Sequence, residues 1–214
     1  HALNFADLII ISPEVFLIEA QELKLFHENE GLSVHLVTPK QIYNEFSSGI
    51  PDVTAIKQFL RMFYVRSNGD PNLMIKYCLL FGDGTYDNKN ILGHGKNHIL
   101  VYESTESLSV TGTYASDDYM AILFDGGSIA NTDQLNIAIG RITVNTKQEA
   151  SEMLQKIKNY STNLNSSIAS CSNGASSSVF RDWRNIVTMI SDDEDNNAYF
   201  NDIEIMATKI EQSN

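Results

Sequence analysis

The chain has 214 residues, 43% of them hydrophobic and 20% charged, which suits one large domain or one domain followed by the opening of another. Its formal net charge is −12 and its pI lies near 4.7, with no stripe of Lys or Arg, so a nucleic-acid partner is excluded as a first reading. The apolar run LIII at 8–11 is a strand's worth, well below the roughly 18 residues that span a bilayer, and no transmembrane segment is read.

In chain order, ADLIIIS (6–12) reads as a buried strand ended by Ser12-Pro13. The following PEVFLIEAQELKLFHENEG places Phe16, Leu17, Ala20, Leu23 and Phe26 at helical spacing, and Gly31 closes the helix. LSVHLVTP is a second strand. PDVTAIKQFLRMFYVRS reads as a helix with Pro51 in its first turn and a stripe of Ile56, Phe59, Leu60 and Phe63. LMIKYCLLFG is a third, almost wholly apolar strand. Apolar strands alternating with helices predict an α/β fold with a parallel sheet.

Residues 82–135 lose helical period and gain Gly, Asp, Ser and Thr, so they read as long loops around an extended segment, TYASDDYMAILFD. LNIAIGRIT (135–143) restores a buried strand. NTKQEASEMLQKIKNYS restores a helix, with Ala150, Met153, Leu154 and Ile157 on one face and Thr146 with Glu149 in capping-box spacing. A first α/β subdomain is thus expected over 1–160, a Ser-rich linker over 161–178 and the start of a second subdomain over 179–214, where WRNIVTMISDDED opens a strand and NAYFNDIEIMATKIEQ a helix. A unit of one strand and one helix cannot form a sheet by itself, and the chain opens close to its first strand, so it reads as a piece of a larger protein.

Sites in α/β sheets lie beyond the carboxyl ends of the strands, and two acidic turns sit there, FGDGTYD and SDDEDNN. The first has neither a phosphate-loop lysine nor a GxGxxG opening a helix. Together with ASDDY it offers a candidate cation site, Ca²⁺ being the ion, formed by Asp83, Asp87, Asp117 and Asp118. The alternative gives Gly82 and Gly84 to a turn and bonds Asp83 and Asp87 to nearby backbone N–H groups, since a hard cation needs six or more convergent oxygens. A nucleotide or phospho-acceptor domain using Asp83 is a weaker rival. DEDNNAYFNDIE imitates a calcium loop through Asp193, Asp195, Asn197 and Glu204, but Ala198 stands where that loop turns on Gly, and a strand rather than a helix precedes it.

A nucleophilic mechanism would draw its base from His27, His35, His94 or His98. His27 falls in a helix and His35 in a strand; His94, in NILGHGKN, and His98 fall in a loop. No nucleophile accompanies them at a strand end. Cys78 lies inside its apolar strand and Cys171 in a Ser-rich loop, so the two form neither a disulfide framework nor a metal site, and a buried thiol is unreactive. A G-x-S-x-G elbow is absent.

The succession of FADLIIIS, QIYNEFSSG, LLFGDGTYD, SDDY, IGRI and MISDDED resembles the gingipain family of cysteine peptidases, in the branch that serves the type IX secretion system of Bacteroidetes as signal peptidase and sortase. The resemblance implies a caspase-like, three-layer catalytic region in which this chain is the smaller first subdomain and the opening of the second. It also implies that the catalytic Gly-His-Gly and Cys lie beyond Asn214, that His94 is a loop residue, and that the 214 residues alone are inactive. Asp193, or Asp192 beside it, would orient that distant His, where the family pattern has Glu; an acceptor on Nδ1–H fixes the tautomer and stabilises the imidazolium. The implied partners are secreted cargo proteins with C-terminal signals and the remainder of the catalytic domain. The implied place is the cell envelope, and no cofactor is required. The rival is a non-catalytic caspase-like module that binds partners through 82–135.

Overall fold

The computed structural model describes residues 5–93, 97–106, 108–109, 112–131, 133–165, 187–192 and 194–212. Two compact units divide the chain, 1–158 and 159–214.

In the first unit β1 (Leu8–Ile11) leads through a 3₁₀ turn at Glu14–Phe16 into α1 (Leu17–Asn29). Gly31, at φ +97°, takes the left-handed conformation that ends α1, and the N–H of Leu32 bonds back to the His27 carbonyl. After β2 (Val34–Val37) comes α2 (Pro39–Phe46), an element missing from the sequence reading. A capping box starts it: the Gln41 N–H donates to Thr38 Oγ1 at 3.2 Å, and the Thr38 N–H donates to Gln41 Oε1 at 2.9 Å.

Helix α3 (Val53–Arg66) begins at Asp52, whose carboxylate accepts the Thr54 N–H at 2.7 Å, so Pro51 lies just outside the helix rather than in its first turn. β3 (Tyr77–Phe81) follows, and the strands among the described residues of the long connection are β4 (Tyr102–Glu103) and β5 (Ala115–Ser116), an antiparallel pair. The extended segment expected through TYASDDYMAILFD instead curls into a 3₁₀ turn at Asp118–Met120, which buries Met120. β6 (Ala138–Ile142) and α4 (Lys147–Asn165) complete the series. Thr146 and Glu149 cap α4 reciprocally, as their spacing predicts.

The four long strands form one parallel sheet in the order β2-β1-β3-β6. Because side chains alternate across a sheet, β1 sends Leu8 and Ile10 to one face and Ile9 and Ile11 to the other. Leu8 and Ile10 join Phe16, Ala20 and Leu23 of the α1 region and Ala150 and Leu154 of α4. On the opposite face Ile9, Ile11, Cys78 and Leu80 meet Ile56, Phe59, Leu60 and Phe63 of α3 together with Ile42 of α2. The result is helix, sheet, helix in three layers.

β6 departs from its sequence reading. It is an edge strand with Ala138 and Gly140 exposed, because no neighbour among the described residues lies on its outer side. Against α3, Tyr119 stacks on Tyr102 with ring centres 4.3 Å apart. Lys57 Nζ sits 4.4 Å from the Tyr119 ring centre, and Thr54 Oγ1 is 3.2 Å from its hydroxyl. Lys57 is buried, and that burial, with Arg61 nearby, lowers its pKa.

In the second unit α5 spans Glu194–Gln212, as the sequence predicts. Residues 187–192 form no strand: Val187 and Ile190 are exposed, and a strand is stable only with a hydrogen-bonded neighbour, which the described residues do not provide. Most of the Ser-rich segment lies outside the described residues.

Candidate functional site

The chain passes from β1 to β2 on one side and then to β3 on the other, so the topological switch point lies between the carboxyl ends of β1 and β3. That crevice is filled by the chain itself. A Cβ placed on Gly82 would come within 2.9 Å of His98 Cβ and 3.4 Å of Pro13 Cδ, and one on Gly84 within 2.5 Å of the Ile99 carbonyl oxygen. The two glycines of GDG therefore let the 98–101 segment close over the strand ends. Ile99 is fully buried there.

Arg141 holds this closure. From the fourth position of β6 its Nε donates to Asp117 Oδ2 at 2.9 Å, and one terminal nitrogen donates both to Asp117 Oδ1 at 2.7 Å and to the Leu100 carbonyl at 3.2 Å. The other donates to the carbonyls of Gly82 at 2.9 Å and Ile99 at 3.0 Å. A guanidinium has five N–H groups, and five bonds use them.

Asp83 accepts the Gly84 N–H at 2.9 Å on one oxygen and the Asn145 side-chain amide at 2.8 Å on the other. Its backbone carbonyl accepts the N–H groups of His98 and Ile99. Asp87 is buried, and its carboxylate accepts the N–H groups of Ile91 at 2.8 Å and Leu92 at 2.6 Å. Asn97 closes the same loop by donating to the Asp87 carbonyl and Thr85 Oγ1. Asp118 is exposed at the start of the 3₁₀ turn.

Three of the four carboxylates of the candidate cation site thus serve different partners, Arg141 for Asp117, Asn145 for Asp83 and backbone amides for Asp87, and the fourth, Asp118, is exposed. Among the described residues no three of His, Cys, Asp or Glu are grouped as metal ligands. Of the acidic turn after the second subdomain's expected strand, Asp192 is exposed and Asp193 lies outside the described residues.

His98 packs its ring on Phe16 at 4.8 Å and places Nε2 3.3 Å from the Asn145 carbonyl. His27 pairs through Nδ1 with Glu30 at 2.9 Å, and the His35 ring lies 6.0 Å from that of Phe63. His94 and Cys171 lie outside the described residues. Cys78 is buried in β3, where burial above all, and Asp117 next, pushes its thiol pKa far up. Its thiolate is suppressed at neutral pH, as the apolar strand around it predicts.

Sequence reasoning missed Arg141 and Asn145, which organise this edge. The signal was a lone Arg in the apolar strand AIGRI: a charge there needs a partner, and Asp117 is that partner.

This fold has solved counterparts. The chain is similar to dimeric latent PorU from Porphyromonas gingivalis, with 33% identity and a TM-score of 0.66 over 79% of this chain and 17% of that one. It is also similar to the Arg-specific cysteine proteinase gingipain R, at 16% identity and a TM-score of 0.50 over 75% of this chain and 29% of that one. A third likeness is to a structure described as a protease, at 11% identity and a TM-score of 0.51 over 72% of this chain and 27% of that one. The two weaker likenesses concern the fold, which is the caspase-like fold of the gingipains. The chain spans less than a third of the length of each of these proteins. No curated protein matches it. Residues 1–214 match the family model of peptidase family C25, and the chain belongs to that family, the gingipain family of cysteine peptidases.

Proposed function

We propose that the chain contributes the first α/β subdomain, and the opening of the second, to the catalytic region of a cysteine endopeptidase of the PorU kind. In this reading the enzyme removes C-terminal secretion signals from cargo of a type IX system at the outer-membrane surface and, as sortase, joins the cargo to an anionic lipopolysaccharide. The observation that carries it is the one-third identity with PorU over most of this chain. In this reading the nucleophile and base belong to another part of the same protein; Cys78, buried in β3, and His98, packed on Phe16 with its Nε2 toward a backbone carbonyl, suit neither role. Asp193 keeps the proposed role of orienting that base. No helix among the described residues is long and apolar enough to cross a membrane.

The test has two arms. The 214-residue chain is incubated with a thiol-reactive activity probe in its native and its denatured form, and no labelling that depends on the native fold is expected. The complete reading frame is then assayed on a reporter bearing a C-terminal secretion signal, where cleavage is expected. Labelling of the short chain that denaturation abolishes, or an inert complete protein, would overturn the reading.

A further inference from the structure

Dehydration of an Asp-Gly pair to a succinimide joins the backbone nitrogen of the glycine to the side-chain carboxyl carbon of the aspartate before it. In a flexible chain the reaction is slowed by how rarely those two atoms meet in the right geometry. The chain holds two such pairs, Asp83-Gly84 at the carboxyl end of β3 and Asp125-Gly126 beyond the 3₁₀ turn. The fold treats them differently.

At the first pair the Gly84 N–H donates to Asp83 Oδ1 at 2.9 Å, so the nitrogen already faces the carboxyl group it would attack. The Asn145 side-chain amide fixes that carboxyl from its other side, donating to Oδ2 at 2.8 Å. The backbone is fixed as well: the Asp83 N–H donates to the Val144 carbonyl, and the Asp83 carbonyl accepts the N–H groups of His98 and Ile99. A Cβ built on Gly84 would lie 3.3 Å from an Arg141 terminal nitrogen, which places the guanidinium charge beside the pair. Asp125 is committed elsewhere, since its carboxylate is 94% exposed and pairs with Arg61.

We propose that Asp83 and Gly84 condense to a succinimide in the folded protein. The Gly84 nitrogen bonds to the Asp83 carboxyl carbon, and the bond from that carbon to Oδ1 of the protonated carboxyl breaks. Oδ1 leaves as water, taking its own proton and the proton of the Gly84 nitrogen, so no other reactant is needed. Oδ2 carries the negative charge of the tetrahedral stage, where the Asn145 amide and the Arg141 cation stabilise it. Oδ2 then remains as an imide carbonyl facing Asn145, and the backbone carbonyl still faces His98 and Ile99, so the ring suits the bonds around it. The product stiffens the turn under the 98–101 segment and removes one negative charge from the strand ends. The inference stands apart from the peptidase reading, because it uses no catalytic residue.

The test uses the complete protein, kept in mildly acidic buffer in its native form and in guanidinium chloride. Samples are digested over time, and loss of one water is located by mass spectrometry. Asn68-Gly69 and Asn173-Gly174 release ammonia instead and are told apart by mass. The native protein should lose water at Asp83-Gly84 at least about tenfold faster than at Asp125-Gly126, because the fold holds the first pair in the attacking geometry. The denatured protein should lose it from both at similar rates. Asn145→Ala should slow the native reaction at Asp83 and leave that at Asp125 unchanged. Equal native rates at the two pairs, a native rate at Asp83 no higher than the denatured one, or no response to Asn145→Ala overturns the proposal.

Discussion

Arg141 and Asp117 lie 24 positions apart, yet they form a two-bond pair at 2.9 and 2.7 Å that closes the carboxyl edge of the sheet. The Arg141 side chain is 9% exposed and that of Asp117 is 21% exposed. Removing one partner leaves a mostly buried charge, and Arg141→Ala also orphans the carbonyls of Gly82, Ile99 and Leu100. A loss of about 3–5 kcal/mol in urea denaturation is expected. Arg141→Lys should recover only a minor part, because an ammonium cannot reproduce the planar fork. Arg141→Met combined with Asp117→Leu should lose less than the two single changes added together. Full recovery by lysine would contradict this account of the pair.

Gly84 and Gly140 make a matched contrast. A methyl on Gly84 runs into the Ile99 carbonyl at 2.5 Å, so Gly84→Ala should cost about 1–3 kcal/mol through a forced backbone shift. Gly140→Ala meets open space and should be neutral or stabilise by up to about 1 kcal/mol. Thermal melts of the two variants, made side by side, decide it; equal effects would remove the steric explanation of GDG.

At the opposite end of the sheet, Asp7 ties three strand entrances together. Its carboxylate accepts Lys76 Nζ at 2.7 Å and the Ser33 N–H at 3.0 Å. The Lys76 bond first, and the Ser33 N–H next, hold its pKa below the usual Asp value. A depressed pKa means that this carboxylate stabilises the fold fully above its unfolded-state pKa and ceases to do so as pH falls through the folded value. Asp7→Asn should therefore lower stability at neutral pH and flatten the acid limb of the stability curve below about pH 4. A parallel downward shift at every pH would show that the ionised form is not what matters.

Cys78 should behave as a small apolar side chain. In a Cys171→Ser background the native protein should react with a disulfide reagent only as fast as it unfolds, so the rate should rise with urea along the unfolding limb. Fast native labelling at pH 8 would mean the thiol is reachable.

Tyr119 pins the β4–β5 arm to α3 through its stack on Tyr102, the Lys57 cation and the Thr54 hydroxyl. Tyr119→Ala should cost about 2–4 kcal/mol and speed proteolysis between β4 and β5 well before global unfolding. If cleavage there follows only global unfolding, the arm is held by other contacts.

Local signals were enough for much of this molecule. The run LIII, the Ile56–Phe63 stripe and the Thr146–Glu149 box declare their strand, helix and cap because period and capping chemistry act over a few residues. The same range holds for α2, whose Thr38-Pro39-Lys40-Gln41 start carries a full capping signature that the reading passed over. QIYNEFSSG, LLFGDGTYD and IGRI together also carried the family, which the match over residues 1–214 shows.

What the sequence could not decide depends on residues far apart in the chain. GDG and ASDDY read as acidic loops that could share a cation, but the fold gives Asp117 to Arg141, Asp83 to Asn145 and Asp87 to backbone amides. Likewise LNIAIGRIT has the apolar content of a central strand, and only the sheet order makes β6 an edge among the described residues. Hydrophobic period and capping are set by neighbours within one or two turns, so the sequence by itself determined the elements. Which carboxylate meets which donor, and which strand is left with an open side, is set by contacts between positions dozens of residues apart, and only the tertiary structure decided them.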